Sequence, residues 1–144
     1  MRILGIDFGE RRIGVAISDP GGTYALPLTT LERSTDDQVI AEIVALARRE
    51  EATRIVVGEP LRADGSAGDA ALRARAFARK LGRASGLPVE TIDESLTSRA
   101  ADRQLAEAGL PPAKRRERRD ALAAQLLLQD ALERDQRRRV RGDA

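Results

Sequence analysis

The feature that most constrains the fold is a change of pattern after the first three apolar runs. Runs at residues 2–8 and 13–18 are separated by a polar turn that contains Gly9, which predicts a β-hairpin. A third strand is predicted over residues 23–31, and Pro27 favours a place for it at the edge of a sheet. After these runs, apolar residues recur at helical spacing, and helices alternate with short strands.

Six further elements are predicted in the second part of the pattern. They are a helix over residues 34–49, a strand over 54–58, a helix over 70–84, a strand over 89–93, and helices over 98–108 and 116–134, with Pro111 and Pro112 in a loop. Ser34, with Asp37 three residues on, is the expected start of the first helix.

The order β-β-β-α-β-α-β-α-α predicts an α/β fold. We expect a five-stranded mixed sheet, built from an antiparallel meander and then α-β units, with helices on both faces. Residues 1–135 are expected to form one domain. Residues 136–144 are expected to form a basic tail that frays.

The chain contains no histidine and no cysteine, which excludes several classes of active site. A histidine general base, a Ser-His-Asp triad, a histidine or thiolate metal site and a cysteine nucleophile are impossible within it. Lys80 and Lys114 are its two lysines. Enzymatic chemistry would therefore depend on carboxylates, hydroxyls, arginines and a bound cofactor, and carboxylates that hold a hard cation are the leading possibility.

Charge is distributed unevenly along the chain. Residues 1–113 carry 15 basic and 17 acidic side chains, whereas residues 114–144 carry 10 and 6. The C-terminal excess of arginine is compatible with a solvated helix surface or with contacts to phosphate groups. Since no apolar run reaches the roughly 20 residues of a spanning helix and no signal-peptide pattern opens the chain, we expect a cytoplasmic protein without a membrane partner.

Three acidic residues stand next to the predicted core. Asp7 lies at the end of the first strand, Glu94 follows Asp93 at the end of the fifth, and Asp120 precedes the apolar stripe of the last helix. Each alone is explained by a turn, a cap or a surface charge. A cluster of like charges persists mainly when a cation neutralises it, and two Mg²⁺ ions about 4 Å apart can support phosphodiester cleavage without histidine or cysteine.

Four motifs follow one another along the chain. They are Gly5-Ile6-Asp7-Phe8-Gly9 with Arg12-Ile13-Gly14-Val15-Ala16, Val56-Val57-Gly58-Glu59-Pro60-Leu61 with Asp64-Gly65-Ser66, Asp93-Glu94-Ser95-Leu96-Thr97-Ser98, and Asp120-Ala121-Leu122-Ala123-Ala124-Gln125. In this order and spacing they resemble the YqgF/RuvX family of Holliday-junction-resolvase-like nucleases. The resemblance covers residues 2–132, although its first motif alone is similar to the opening of actin-like and sugar-kinase ATPases.

The resemblance implies a ribonuclease H-like fold and a nuclease activity that depends on Mg²⁺ or Mn²⁺. The catalytic, metal-binding acids of the family fall on Asp7, Glu94 and Asp120, with Asp93 as a supporting or capping neighbour. The implied role is maturation of the 5′ end of pre-16S rRNA, so that a structured rRNA precursor is the expected partner. Two positions depart from the family pattern, because Ser95 replaces a common arginine and Arg62 a common asparagine.

Ten residues are candidate contacts to the nucleic acid. They are Gly9, Arg11, Arg12, Arg62, Gly65, Thr97, Arg99, Lys114, Arg115 and Arg116, and the basic run continues to Arg119. The glycines are explained by a positive φ or a close backbone approach, or alternatively by N–H groups that bind phosphate. Because aromatic residues make up 2% of the chain, we expect recognition of backbone and shape rather than of bases, with strong salt dependence.

Three other functions stay open on the sequence. A resolvase of branched DNA would use the same chemistry and would favour a homodimer over a monomer, since two strands must be cut. An actin-like ATPase is disfavoured, because 144 residues do not supply the two domains that enclose a nucleotide. A non-catalytic ribosome assembly factor would bind nucleic acid through the C-terminal arginines and would tolerate loss of the acids.

Overall fold

The computed structural model describes residues 1–9 and 11–142, apart from the side chains of residues 95–99, 116 and 117. Within these residues the chain forms five strands and four helices. The strands are β1 (Arg2–Phe8), β2 (Arg12–Ser18), β3 (Ala25–Glu32), β4 (Ala52–Glu59) and β5 (Val89–Asp93). The helices are α1 (Asp36–Arg49), α2 (Asp69–Ser85), α3 (Ser95–Glu107) and α4 (Pro112–Val140).

The strands form one sheet in the order β3-β2-β1-β4-β5. Strands β1, β2 and β3 pair antiparallel, whereas β4 pairs parallel with both β1 and β5. The five-stranded mixed sheet and the edge position of β3 are therefore confirmed. Pro27 pairs with Ala16 next to a shift in the β2–β3 register, as expected for a residue that cannot donate a backbone hydrogen bond.

Alternate side chains of the strands enter two separate cores. Leu4 and Ile6 of β1 belong to the core under α1 and α2, whereas Ile3 belongs to the core under α4. Helices therefore cover both faces of the sheet, as predicted. Because side chains alternate along a strand, Gly5 and Asp7 face α4, and a Cβ at Gly5 would lie 2.8 Å from the Cβ of Leu128.

Helix α1 begins one residue later than expected. Its N-cap is Thr35 rather than Ser34, and the Thr35 side chain accepts a hydrogen bond from the backbone N–H of Gln38 at 3.2 Å. Thr35 and Gln38 are three residues apart, which is the spacing of a capping box. The signal was present in the sequence, displaced by one residue from the predicted cap.

Helix α4 is longer than predicted at both ends. Pro112 is its first residue rather than part of a loop, and proline suits this position because its missing N–H has no partner within the helix anyway. The helix runs on through Val140. The boundary that was expected between a domain at residues 1–135 and a tail at 136–144 therefore lies within α4, and this division of the chain stays a prediction. Helix α3 likewise starts at Ser95, ahead of the predicted residue 98.

Side chains of α4 attach it to the sheet on both sides of β1. Gln129 accepts from the N–H of Ala25 at 2.9 Å and donates to the carbonyl of Thr23 at 3.1 Å, while Gln125 donates to the carbonyl of Ala25 at 3.1 Å. On the other side, Arg54 of β4 binds Asp135 of α4 at 2.7 Å and also pairs with Glu90 of β5. These contacts fix the direction of α4 across the sheet.

Among the described residues, none of the helices combines the length and the hydrophobicity that crossing a bilayer requires.

Candidate active site

Asp7 is a buried acid at the carboxyl end of β1. Its side chain faces α4 and the residue is only 4% exposed. Phe8, which points to the opposite face, packs edge-on against Phe77 of α2 with ring centroids 4.3 Å apart. This contact anchors the end of β1 on the face opposite Asp7. Asp7 is therefore held at a buried position, where an unneutralised carboxylate would be costly.

Glu94 reaches Asp7 across β4. It directly follows β5 as the N-cap residue of α3, and its N–H donates to the carbonyl of Glu59 at 3.1 Å. Its side chain passes over Gly58, where a Cβ would lie 2.4 Å from Glu94 Oε2. Any residue larger than glycine at position 58 would therefore displace the carboxyl, which is 6% exposed and hydrogen-bonded to Asp7.

Asp120 completes the acidic group from α4. Its backbone lies directly over Gly14, where a Cβ would be 1.9 Å from the Asp120 carbonyl oxygen, and its carboxylate lies over Gly9, where a Cβ would be 2.5 Å from Oδ1. Gly14 pairs with Asp7 in the β1–β2 ladder. Two glycines on neighbouring segments thus allow the first half of α4 to approach the sheet beside Asp7.

Burial raises the pKa of all three acids. The pKa of Glu94 rises to about 10, chiefly through desolvation and then through the hydrogen bond and the charge of Asp7. That of Asp120 rises to about 6 through desolvation and then the charge of Asp7. Desolvation also raises the pKa of Asp7, while the hydrogen bond from Glu94 opposes this rise. At neutral pH Glu94 therefore keeps a proton and donates it to the Asp7 carboxylate.

Two arginines stand near the acids. The charge of Arg119 on α4 lowers the pKa of Asp7, Glu94 and Asp120, and that of Arg12 at the start of β2 lowers the pKa of Asp120. Arg12 is half-buried, and its predicted contact with nucleic acid stays a prediction. The acidic group is thus bordered by positive charge.

A hard divalent cation suits the chemistry of these donors. The carboxyl groups of Asp7 and Glu94 are buried and hydrogen-bonded to each other. Two such groups cannot both ionise at low cost unless a positive charge replaces the proton between them, and a divalent cation can supply that charge. Within the part of the chain that the structure describes, however, no group of three or more acids is close enough to hold one metal ion. That Asp7, Glu94 and Asp120 bind a metal ion together is therefore a proposal.

The predicted glycine contacts to phosphate find no support in the turns. The N–H of Gly9 donates to the carbonyl of Arg12 at 2.8 Å, and that of Gly65 donates to the carbonyl of Arg62 at 2.9 Å. Both N–H groups are thus engaged within their own turns. Gly65 has a φ of +84° and Gly9 lies under Asp120, so backbone conformation and close approach explain these glycines.

The other candidate contacts lie around the site at different depths. Arg11 and Lys114 are exposed, Arg115 is half-buried, and exposed Arg62 lies over the start of α2, where a Cβ at Gly68 would be 2.9 Å from its Nε. The side chains of Thr97, Arg99 and Arg116 are outside the described residues. Asp93 at the end of β5 is exposed, and its charge adds to the rise in the pKa of Glu94.

The C-terminal arginines lie toward the opposite end of the strands from the acids. Helix α4 passes from Gly14 at Asp120 to the beginning of β4 at Asp135. Arg138 follows Asp120 by a helical distance of about 27 Å. Contacts of these arginines with nucleic acid would therefore be remote from the acidic group.

Sequence reasoning missed the features that join the acids. The motif that contains Gly58 does not reveal that this glycine leaves space for the Glu94 side chain. Glu59, which is 7% exposed, is paired with Arg75 of α2 at 2.7 Å and 3.3 Å. A buried acid at the end of an apolar strand signals that a cationic partner is needed, but which arginine of α2 supplies it depends on the helix orientation.

A five-stranded mixed sheet in the order β3-β2-β1-β4-β5, with helices on both faces, is a fold of the ribonuclease H-like class. Solved structures agree on the fold. RuvC of Thermus thermophilus in complex with a Holliday junction substrate matches with a TM-score of 0.60 and 16% identity over 94% of this chain and 96% of that chain. The large terminase nuclease of thermophilic phage G20c matches with a TM-score of 0.55 and 15% identity, over 91% and 81% of the two chains.

Sequence comparison identifies the family. The chain belongs to the RuvX family, whose model, described as Holliday junction resolvase, matches residues 1–134. A relative from Syntrophus aciditrophicus is 43% identical over all of this chain and 96% of its own length, and one from Chloroflexus aurantiacus is 46% identical over 91% of this chain and 86% of its own length. Both are named "Putative pre-16S rRNA nuclease". The predicted family and its nuclease class are thereby confirmed.

Proposed function

We propose that this chain is a metal-dependent nuclease that hydrolyses phosphodiester bonds in structured RNA during maturation of the 5′ end of pre-16S rRNA. The names of its relatives from Syntrophus and Chloroflexus support the substrate. The observation that carries the chemistry is the buried, hydrogen-bonded pair of Asp7 and Glu94 beside Asp120. Such a reaction would take place in the cytoplasm, where ribosomal RNA is processed.

Asp7 and Glu94, together with Asp120, are the proposed ligands of Mg²⁺ or Mn²⁺. The bound cation would supply the positive charge that lets an anionic phosphate approach the acids and that stabilises charge developing on its oxygens. Carboxylate ligands must be ionised to bind a cation. The proton that Glu94 donates to Asp7 must therefore leave, so we expect cation binding to release protons and to tighten as pH rises.

The remaining residues of the site position the acids. Gly9, Gly14 and Gly58 let Asp120 and Glu94 approach closely, and the Glu59 carbonyl holds the N–H of Glu94. Asp120 is half-buried at the rim. With a pKa of about 6, it is mostly ionised at neutral pH, which suits the proposed ligand role.

The decisive experiment compares Asp7→Asn with wild type on a 5′-extended 16S rRNA precursor, with Mg²⁺, with Mn²⁺ and with EDTA. We expect Asp7→Asn to lose cleavage by at least about 100-fold, while RNA binding in EDTA stays within about threefold of wild type. Asp37→Asn, at an exposed acid of α1, is the matched control and should cleave normally. Unchanged cleavage by Asp7→Asn would remove the proposed chemistry. Binding without cleavage in every condition would instead favour a non-catalytic assembly factor.

Branched DNA is the second candidate substrate. The description of the family model as Holliday junction resolvase favours it specifically. Resolution of a four-way junction needs two cuts, so a symmetric homodimer would be required, whereas one copy suffices to trim an RNA end. Cleavage of a four-way junction in paired, symmetric positions, together with a dimer in solution, would establish this alternative over the RNA substrate.

A further inference from the structure

Arg119 is an arginine whose charge acts on all three acids of the site. It precedes Asp120 on α4, and its Nε contacts Asp102 Oδ1 of α3 at 2.8 Å. About half of its side chain, 47%, is exposed, as is 56% of that of Asp102. The ion pair therefore holds a guanidinium at the junction of two helices, beside the acids and open to solvent.

Arg119 differs from Arg12, the other described arginine whose charge acts on the acids. The charge of Arg119 lowers the pKa of Asp7, Glu94 and Asp120, whereas that of Arg12 lowers the pKa of Asp120. A guanidinium has five N–H donors in a planar fork. Contact of Asp102 with Nε still allows the terminal NH₂ groups to bind two oxygens of a phosphate.

We propose that Arg119 binds a phosphate of the nucleic-acid strand at the acidic group, and that Asp102 is the positioning residue that holds its guanidinium there. This inference rests on the proposed nuclease function and names a substrate contact within it. The sequence contained Arg119 only as the end of a basic run. The ion pair between α3 and α4, which connects residues 17 positions apart in the chain, distinguishes it from its neighbours.

The proposal has a signature that a merely structural arginine would not produce. A fixed positive charge beside the acids attracts a phosphate but repels a divalent cation. Removal of Arg119 should therefore weaken binding of nucleic acid and tighten binding of metal in its absence. Loss of a structural contact would weaken both, because both depend on the same folded site.

The test uses Arg119→Ala and Arg119→Lys, with Arg103→Ala on the exposed surface of α3 as the charge-matched control. The probes are a labelled 16S rRNA precursor fragment in EDTA, for binding without cleavage, and Mn²⁺ alone. For Arg119→Ala we expect the RNA Kd to rise about tenfold, with a salt slope smaller by about one contact, and the Mn²⁺ Kd to fall about threefold. Arg103→Ala should change each Kd by less than about twofold.

A lysine at position 119 keeps the positive charge but lacks the planar set of N–H donors of a guanidinium. Arg119→Lys should therefore keep the wild-type Mn²⁺ affinity and recover only part of the RNA affinity. Asp102→Asn should raise the RNA Kd about threefold in the wild-type background and have no effect in Arg119→Ala. A threefold effect that persists without Arg119 would refute the positioning role of Asp102.

Two results would overturn the phosphate contact. One is an RNA Kd of Arg119→Ala equal to that of Arg103→Ala, and the other is a parallel weakening of RNA and Mn²⁺ binding. Arg119→Lys keeps the test decisive if the alanine variant does not fold. Failure of the proposed function is separable, since a wild-type protein that binds the RNA through Arg119 without cleaving it would refute the nuclease and retain the contact.

Discussion

Replacement of Gly14 by alanine should damage both stability and catalysis, because α4 rests on the backbone of β2 at this residue. A Cβ at position 14 would lie 1.9 Å from the carbonyl oxygen of Asp120, 2.2 Å from its carbonyl carbon and 2.8 Å from the nitrogen of Ala121. All three atoms belong to the helix backbone. No side-chain rotation can relieve the clash, so the first half of α4 must move away from the sheet.

The expected cost is at the upper end of the range for overpacking. A core that must accept an extra methyl group loses about 1–3 kcal/mol, and movement of a whole helix segment places Gly14→Ala near about 3 kcal/mol. For a chain of this size that corresponds to a fall in Tm of about 10 °C. Since Asp120 moves with α4, cleavage should fall even at temperatures where the variant is fully folded.

Gly82→Ala provides the matched control for this prediction. Gly82 lies within α2, and its added Cβ would have its nearest contact at 3.7 Å, on the side chain of Val89. We expect it to leave cleavage unchanged and to stabilise the fold by up to about 1 kcal/mol, the difference in helix propensity between alanine and glycine. Thermal melts, urea titrations and cleavage rates at a temperature well below Tm measure all of these effects. A Gly14→Ala protein that melts within about 2 °C of wild type and cleaves normally would refute the close-approach argument.

Three further predictions concern charge and capping. In EDTA, the free energy of unfolding should fall as pH rises from 5 to 9, because the raised folded-state pKa of Glu94, about 10, favours its protonated form. The slope should be up to about 1.4 kcal/mol per pH unit for this group. In urea titrations Glu94→Gln should remove the contribution of Glu94 and leave that of Asp120, whose pKa of about 6 confines it to the acidic end of the range. Arg75→Ala should lower the Tm, because the carboxylate of Glu59, whose side chain is 9% exposed, loses its partner. Equal Tm values would contradict this. Thr35→Ala should cost about 1 kcal/mol, whereas Ser34→Ala should cost almost nothing, as chemical denaturation would show.

The strands could be predicted closely because apolar runs and their polar ends determine them locally. Asp7 next to the end of β1 and Asp93 at the end of β5 mark the carboxyl ends of buried segments, and Gly86 and Gly109 follow α2 and the C-cap of α3 in left-handed conformations. Helix starts were less accurate, since Ser34 and Thr35 are both good caps and only the geometry selects one. The start of α4 at Pro112 was not predicted, because proline breaks a helix in its interior. In the first turn, however, proline is favoured.

The candidate site was predictable in its residue types and not in its contacts. Asp7, Glu94 and Asp120 stand out because acids next to an apolar core need an explanation. The contact of Glu94 with Asp7 depends on the space over Gly58. The approach of Asp120 to the sheet depends on the space over Gly14 and on the path of α4. These are properties of how segments pack against each other, which a single sequence does not contain.

The amide groups of Gln125 and Gln129 bear on how this protein behaves at high concentration. Because they occupy the backbone N–H and C=O groups at the beginning of β3, an incoming strand finds no open hydrogen-bonding positions there, and Pro27 withholds another a short way along. An outer strand left bare is a template for self-assembly into aggregates. The helix that carries Asp120 thus also opposes the addition of another strand at the beginning of β3.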